Sequence, residues 1–518
     1  MLKKWLATAV LAALVLVLGV GAQGGAAAPG KPKIAWSPCY KQFGNFECGT
    51  VQVPLDYNAQ NRATISIALI RLPATDPSRR AGSLFLNPGG PGGSGVDFAL
   101  FAGPFLYTDE VRARFDLVGF DPRGIARSTA LRCFGTPRQW GPFFTPFAFP
   151  LTPEEETIWA TADRYLISAC DQRGARIADH MSTANVARDL DVLRDAVGDQ
   201  MLTYAGYSYG SFLGVTYANL FPSKVRAVVV DGVLDPIAWT TGVGNQSDTL
   251  PFSTRLRSDA GAQATLDEFF RLCDAGTCAF GPDSADRFDA LAEQLLTAPI
   301  PVTFPDGSTG LLNYSILIAI TLGSMYDSSG WEDFAQLLAD IESQASASTL
   351  GARVQSFLHR PMFITKRGFP RYPNFVEGFP AVICADSDNP DSYAAWSAAG
   401  ADADATFGYF GRIWTWASSL CAEWYTADAD RYTGPFTANT ANPVLVVGTR
   451  FDPATRYEGA QTVAGLLPNS RLLTVNGWGH TSLFLSQCAD QAVSTYLLTT
   501  AIPPPGTTCV QDFTPFAN

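Results

Sequence analysis

The sequence predicts an open α/β sheet, mostly parallel, flanked by helices and interrupted by a large helical insertion. Three observations carry this. Short apolar runs bounded by glycine, proline or aspartate recur along the chain, as strands buried on both faces require. Helical patterns alternate with these runs. The alternation stops after Val233 and resumes at Val444.

In chain order, the first segment stands apart. Lys3 and Lys4 precede an apolar stretch from Trp5 to Val20, followed by small residues. That is the layout of a secretory signal peptide. Val20-Gly21-Ala22 and Ala26-Ala27-Ala28 both offer small residues for cleavage, and the second would leave Pro29 at the new N-terminus. The stretch is shorter than the roughly 20 residues that a membrane span needs. Residues 1–30 are therefore read as a cleaved signal that leaves no stable membrane anchor.

The core follows, over 31–233. Strand-like runs are "ATISIALIRL", "GSLFLNPGG", "FDLVGFDPRG", "MLTYAGYS" and "VRAVVVDGV". Between the last three, "STANVARDLDVLRDAVG" sets Val186, Leu190, Leu193 and Val197 on one helical stripe, with Ser182 or Thr183 as the cap and Gly198 at the end. A second helix, "SFLGVTYANLF", opens directly after the strand that ends near Ser208. From 234 to 441 amphipathic helical patterns and aromatic residues dominate, which reads as a helical cap. The sheet signal returns over 442–518 with "NPVLVVGTRFDP" and "SRLLTVNGWGH".

With 518 residues, 47% hydrophobic and 16% charged, the composition is that of a globular protein with a large core rather than a disordered one. The net charge of −12 argues against nucleic acid as a partner, because phosphate binding needs a basic footprint. The ten cysteines all lie beyond the signal, an even number that fits pairing in an oxidising compartment. Pairing of sequence neighbours, Cys39 with Cys48 through Cys488 with Cys509, is the reading adopted, although spacing leaves connectivity open. A metal site has weak support, since CxxC is absent and only three histidines occur. No cofactor is expected.

The chemistry concentrates at strand ends. Gly206-Tyr207-Ser208-Tyr209-Gly210 follows a strand and opens a helix, the context of a nucleophile elbow. A serine hydroxyl needs a neighbouring base. Of His180, His359 and His480, the last follows the final strand in a glycine-containing loop that lets an imidazole reach the sheet edge. Asp452 sits just past another strand end, where Pro453 stops the strand. Ser208, Asp452 and His480 come in the chain order expected of an α/β-hydrolase. The Gly-rich "FLNPGGPGGSG" suits close backbone approach, and N–H groups of Gly90 and Tyr209 would hold a developing oxyanion. The loop lacks the lysine arrangement of a phosphate-binding GxxxxGK[ST].

The segments Asn87-Pro88-Gly89-Gly90-Pro91-Gly92, Gly119-Phe120-Asp121-Pro122-Arg123-Gly124, Gly206–Gly210, Phe451-Asp452-Pro453, Gly479-His480 and Ala381–Asp386 together resemble the secreted tripeptidyl aminopeptidases. These are serine exopeptidases of the α/β-hydrolase fold, related to prolyl aminopeptidases. The resemblance runs from Trp36 to Cys509 and includes a C-terminal TAP-like part. It implies Ser208 as nucleophile, His480 as base, Asp452 as its orienting acid, and peptides as substrates. Ala126 departs from it, standing where relatives often have glycine. An aminopeptidase must also bind a free α-ammonium group, which calls for a carboxylate in the cap. Glu377 and Asp386 are the candidates, with Glu423 behind them, while Trp414, Trp416, Trp424 and Tyr425 either line a pocket or pack the insertion. A carboxylesterase or lipase with the same triad is the alternative, and a non-catalytic hydrolase-like binding protein a further one.

Overall fold

The structure, a computed structural model, describes residues 33–59, 63–358 and 374–517. The signal-peptide reading and His359 fall outside these residues.

Among the described residues twelve strands occur in chain order. They are β1 (Ser37–Cys39), β2 (Phe46–Pro54), β3 (Thr64–Leu72), β4 (Gly82–Asn87), β5 (Phe115–Phe120), β6 (Leu202–Tyr207), β7 (Val225–Asp231), β8 (Ile300–Thr303), β9 (Thr309–Leu312), β10 (Val444–Phe451), β11 (Ser470–Trp478) and β12 (Thr508–Val510). Ten of them form one sheet in the order β1-β2-β3-β5-β4-β6-β7-β10-β11-β12. The pairs from β1 to β5 are antiparallel, and every pair from β5 across to β12 is parallel.

The valine-rich runs explain the burial of the parallel part on both faces. In β4, Phe85 packs into one core while Leu84 and Leu86 pack into the other. Val228 and Val230 in β7, and Val444 and Val446 in β10, share the face of Phe85; Ala227, Val229, Leu445 and Val447 take the opposite one. This two-residue alternation follows from the pleat, and β-branched side chains fit it well.

Between β7 and β10 the chain is mainly helical. The helices Ser258–Ala275, Ser284–Thr297, Tyr314–Met325 and Trp331–Glu342 enclose their own core around Phe269, Phe288, Trp331 and Phe334. The C-terminal Phe516 packs into that core too. The β8–β9 hairpin interrupts the helices, turning at Pro305-Asp306-Gly307-Ser308, where Asp306 Oδ1 accepts the Ser308 N–H. The helix Phe375–Asp386 behaves differently, since its Val376, Val382 and Ile383 pack into the core beside the sheet.

All ten cysteines are paired with sequence neighbours: Cys39–Cys48, Cys133–Cys170, Cys273–Cys278, Cys384–Cys421 and Cys488–Cys509. Among the described residues no helix is long and apolar enough to cross a membrane.

Candidate active site

Five adjacent strands of the sheet, β4, β6, β7, β10 and β11, deliver their C-terminal ends to one place. Open α/β sheets bind ligands at such an edge. Each strand contributes a turn.

At the end of β6, Ser208 adopts φ 57° and ψ −125°, a conformation that L residues rarely adopt. The following helix, Tyr209–Leu220, starts immediately. Glycine flanks make the turn feasible. A Cβ on Gly206 would lie 2.2 Å from the Gly210 carbonyl oxygen, and one on Gly210 would lie 2.7 Å from the Asn87 carbonyl oxygen. The strain is held by neighbours, including the Ser208 N–H bonded to the Asp231 carbonyl at 2.9 Å.

The Gly-rich turn after β4 lies against this elbow. Gly89 has φ +93°, and a Cβ there would lie 2.4 Å from the Tyr207 carbonyl oxygen, 2.8 Å from Ser208 Cβ and 2.9 Å from Tyr209 N. The buried Asn87 shapes the turn by accepting the Gly89 N–H at 2.9 Å. Gly90 follows at φ +112°.

At the ends of β10 and β11, His480 Nδ1 lies 2.9 Å from Asp452 Oδ1 and 3.1 Å from Oδ2. Asp452 is fully buried and also accepts the N–H groups of Ala454, Thr455 and Thr481 and the Thr455 hydroxyl. Burial opposes its charge. The adjacent His480 and these hydrogen bonds outweigh that penalty and hold the carboxyl below its ordinary range. Gly232, just past β7, closes the distance between the two halves of the site. A Cβ there would lie 3.0 Å from Thr455 Oγ1 and 3.4 Å from His480 Cε1. No hydrogen bond joins Ser208 Oγ to the imidazole among the described residues, and such contacts often tighten only with substrate.

The insertion also grips the histidine loop. The Tyr326 carbonyl accepts the His480 N–H at 2.9 Å, and the two rings meet edge-to-face with centroids 5.0 Å apart.

The three candidate acids separate. Glu377 is fully buried at the start of a helix that touches the Gly-rich turn, for a Cβ on Gly92 would lie 3.3 Å from Phe379 N and 3.6 Å from the Gly378 carbonyl carbon. Asp386, at the other end of that helix, is engaged elsewhere. Its oxygens accept the Thr183 N–H at 2.7 Å and the Thr183 hydroxyl at 2.6 Å, with the Trp239 indole N–H at 3.4 Å. Thr183 Oγ1 in turn meets the Tyr209 hydroxyl. Burial pushes the Asp386 carboxyl up to about 7. Glu423 forms an exposed pair with Arg164 at 2.7 Å. Of the aromatic group, Trp416 is buried and stacks on Tyr393, and Trp424 and Tyr425 pack on each other and against the main core, so packing accounts for these three.

Three residues of the site were not singled out from sequence: Thr455, Tyr326 and Asp231. Their sequence signals are weak, since a threonine three residues past an aspartate, or an aspartate ending a valine run, is common in turns. His180 is half-buried, and its carbonyl accepts a hydrogen bond from the Arg123 guanidinium at 3.1 Å. Among the described residues one group, Asp56, His180 and Asp430, has atoms close enough to hold a metal, all within 4.8 Å of one another. Asp56 Oδ1 already accepts the Asn58 N–H at 2.7 Å.

With this geometry in view, the comparisons with known proteins are consistent. Residues 82–266 match the model described as alpha/beta hydrolase fold, and residues 406–509 match the TAP-like protein model. The serine protease Hip1 of Mycobacterium tuberculosis (strain ATCC 25618 / H37Rv) is 31% identical, with 98% of each chain covered. Carboxylesterase B of the same strain is 32% identical over 93% of this chain and 91% of its own. The tripeptidyl aminopeptidase of Streptomyces coelicolor is 28% identical over 96% of this chain and 89% of its own. A strained serine elbow, a paired histidine and aspartate at neighbouring strand tips, and full-length relatives at this identity lead to one conclusion: the chain belongs to the TAP-like family of α/β-hydrolase-fold serine hydrolases and peptidases.

Proposed function

We propose that the chain is an exported serine exopeptidase that releases di- or tripeptides from free N-termini through an acyl-enzyme. The observation that carries the reading is the His480–Asp452 pair, at 2.9 Å, on the strand tips beside the strained Ser208 elbow. In this mechanism His480 takes the Ser208 proton as the hydroxyl attacks the scissile carbonyl. Asp452 fixes the imidazole tautomer and stabilises the imidazolium. N–H groups of Gly90 and Tyr209 hold the oxyanion. His480 then returns the proton to the leaving amine, and water repeats the sequence to release the peptide. No step calls on a metal or organic cofactor.

Glu377 is the group assigned to the substrate's α-ammonium. It is buried, and its helix borders the Gly-rich turn, so a cation brought there finds a carboxylate in a low-dielectric place. The five disulfides support export, because such bonds persist in oxidising compartments.

The second reading, a carboxylesterase, is favoured by the relative of that name. A substrate panel separates the two: a tripeptidyl anilide with a free N-terminus, its N-acetylated form, and a short-chain aryl ester. The peptidase reading expects turnover of the free anilide and at least a tenfold loss on acetylation. Ester turnover without anilide turnover rejects it. A Ser208→Ala control must abolish both turnover and fluorophosphonate labelling, and a wild-type chain that does not label would mark a non-catalytic protein.

A further inference from the structure

We propose that the Asp231 carboxylate is a positioning residue for His480, clamping the loop that carries the imidazole and placing a second acid beside the imidazolium formed during attack. The inference rests on the catalytic reading above.

Asp231 is the last residue of β7 and is 2% exposed. Its backbone and side chain serve different halves of the site. The backbone carbonyl accepts the N–H of Ser208 at 2.9 Å. The carboxylate accepts the Ser482 N–H at 3.1 and 3.0 Å and the Ser482 hydroxyl at 2.7 Å. Thr481 donates its N–H to Asp452 at 3.1 Å. The two residues after His480 are therefore bound to two different buried carboxylates. One of these is the orienting acid, and the other is bonded through its backbone to the nucleophile's peptide.

A loop of this kind needs acceptors, not charge. A serine, an asparagine or a carbonyl would take the Ser482 N–H without the cost of burying an acid. The acid therefore calls for an electrostatic role. The ionisable groups facing Asp231 are Asp452, His480, Tyr107 and Tyr207, with Asp490 beyond the tyrosine pair. Tyr107 and Tyr207 are hydrogen-bonded to each other at 2.8 Å, and burial holds both phenols in the neutral form. Burial pushes the Asp231 carboxyl up to about 7; the Ser482 bonds oppose this, the Asp452 charge adds to it, and His480 counters it. When ionised, Asp231 is a second negative charge near the imidazole, since a Cβ on the next residue, Gly232, would lie 3.4 Å from His480 Cε1, and such a charge favours the imidazolium formed during attack.

The test is the rate of Ser208 labelling by a fluorophosphonate between pH 5 and 9, on the full chain and two variants. Asp231→Asn keeps an acceptor but removes the charge. Ser482→Ala keeps the charge but removes a bond that favours it. The expected result for Asp231→Asn is a plateau about tenfold lower and a rise whose midpoint moves down by about half to one pH unit. Ser482→Ala should move the midpoint in the same direction by less. A folded Asp231→Asn whose midpoint stays at the wild-type value, with only the plateau lowered, overturns the electrostatic role and leaves a structural one. If Asp231→Asn does not fold, an unmoved midpoint in Ser482→Ala overturns it instead. Failure of the wild-type chain to label sinks the catalytic reading itself, which is a separate outcome.

Discussion

Thr455 shows how a single hydroxyl works at the centre of the site. It donates to Asp452 Oδ2 at 2.9 Å and lies 3.4 Å from His480 Nδ1. A hydrogen bond to a buried charge is worth about 1.5–3 kcal/mol. Thr455→Val should therefore lower kcat by about 10- to 100-fold with little change in KM, as steady-state kinetics on the anilide would measure. An unchanged kcat would make the hydroxyl a bystander. Ala126 is the converse case, a residue at odds with its backbone. It sits at φ 46°, where a Cβ costs about 1–2 kcal/mol, while its N–H is bonded to Asn374 Oδ1 at 2.9 Å. Ala126→Gly relieves that strain and gives back about 0.5–1 kcal/mol in unfolded-chain entropy. The net expectation is a gain of roughly 0.5–1 kcal/mol in urea unfolding, and a loss of stability would refute it. Here the sequence was informative in a limited way. The departure from glycine at Ala126 was visible, and the positive φ that gives it meaning was not.

The helix Phe375–Asp386 carries two acids with different surroundings, its 12 residues being enough to send its ends to different neighbours. Its first turn borders the Gly-rich loop, and its last residue caps the start of Thr183–Ala196. Glu377→Gln should raise KM at least tenfold for a free-N-terminus anilide and leave the aryl ester unaffected. Asp386→Ala should instead leave the Thr183 N–H without its buried partner and cost about 1–3 kcal/mol of stability. Comparing the melting temperature with the KM of each variant separates the roles, and reversal of the two patterns would refute the assignment. Element placement was largely legible. Of the two caps that the sequence offers, Ser182 and Thr183, Ser182 holds the start of the helix, and Val186, Leu190 and Leu193 face the core with Val197 partly buried at its end, because local periodicity and capping chemistry decide them. What a helix touches at each end was not legible. Glu377 and Asp386 look equivalent in one dimension, and only the packing of residues hundreds of positions apart tells them apart. The hairpin β8–β9 leaves little trace in the sequence because its strands are short and half-exposed, with none of the continuous apolar character of the sheet strands.

Across the whole molecule, buried acids set the response to pH. Asp163, Asp231 and Asp386 lie in different parts of the fold, and burial pushes the carboxyl of each up to about 7. In an unfolded chain they titrate near 4. Between these values the native state keeps protons that the unfolded state has lost, so unfolding releases protons and stability falls as pH rises. Below about 4 both states are protonated at these sites, and above about 7 both are ionised, so the effect is confined to that window. Each group contributes a slope of at most about 1.4 kcal/mol per pH unit. The net charge of −12 at pH 7 acts in the same direction, since self-repulsion grows as pH rises above the sequence pI of about 4.8. The opposite influence comes from Asp452, whose carboxyl is held low by His480 against its burial, and whose stabilisation is lost only as pH falls through its lowered value. Calorimetry should therefore find Tm decreasing from pH 5 to 7 and levelling above. Asp163 makes a clean probe because its partner, the Ser419 hydroxyl at 2.6 Å, lies away from Ser208 and His480 in the hydrogen-bond network. Asp163→Asn should flatten the slope by one group's share while leaving fluorophosphonate labelling of Ser208 intact. A Tm that is constant or rising over the same interval would mean that these carboxyls are not kept protonated by the fold.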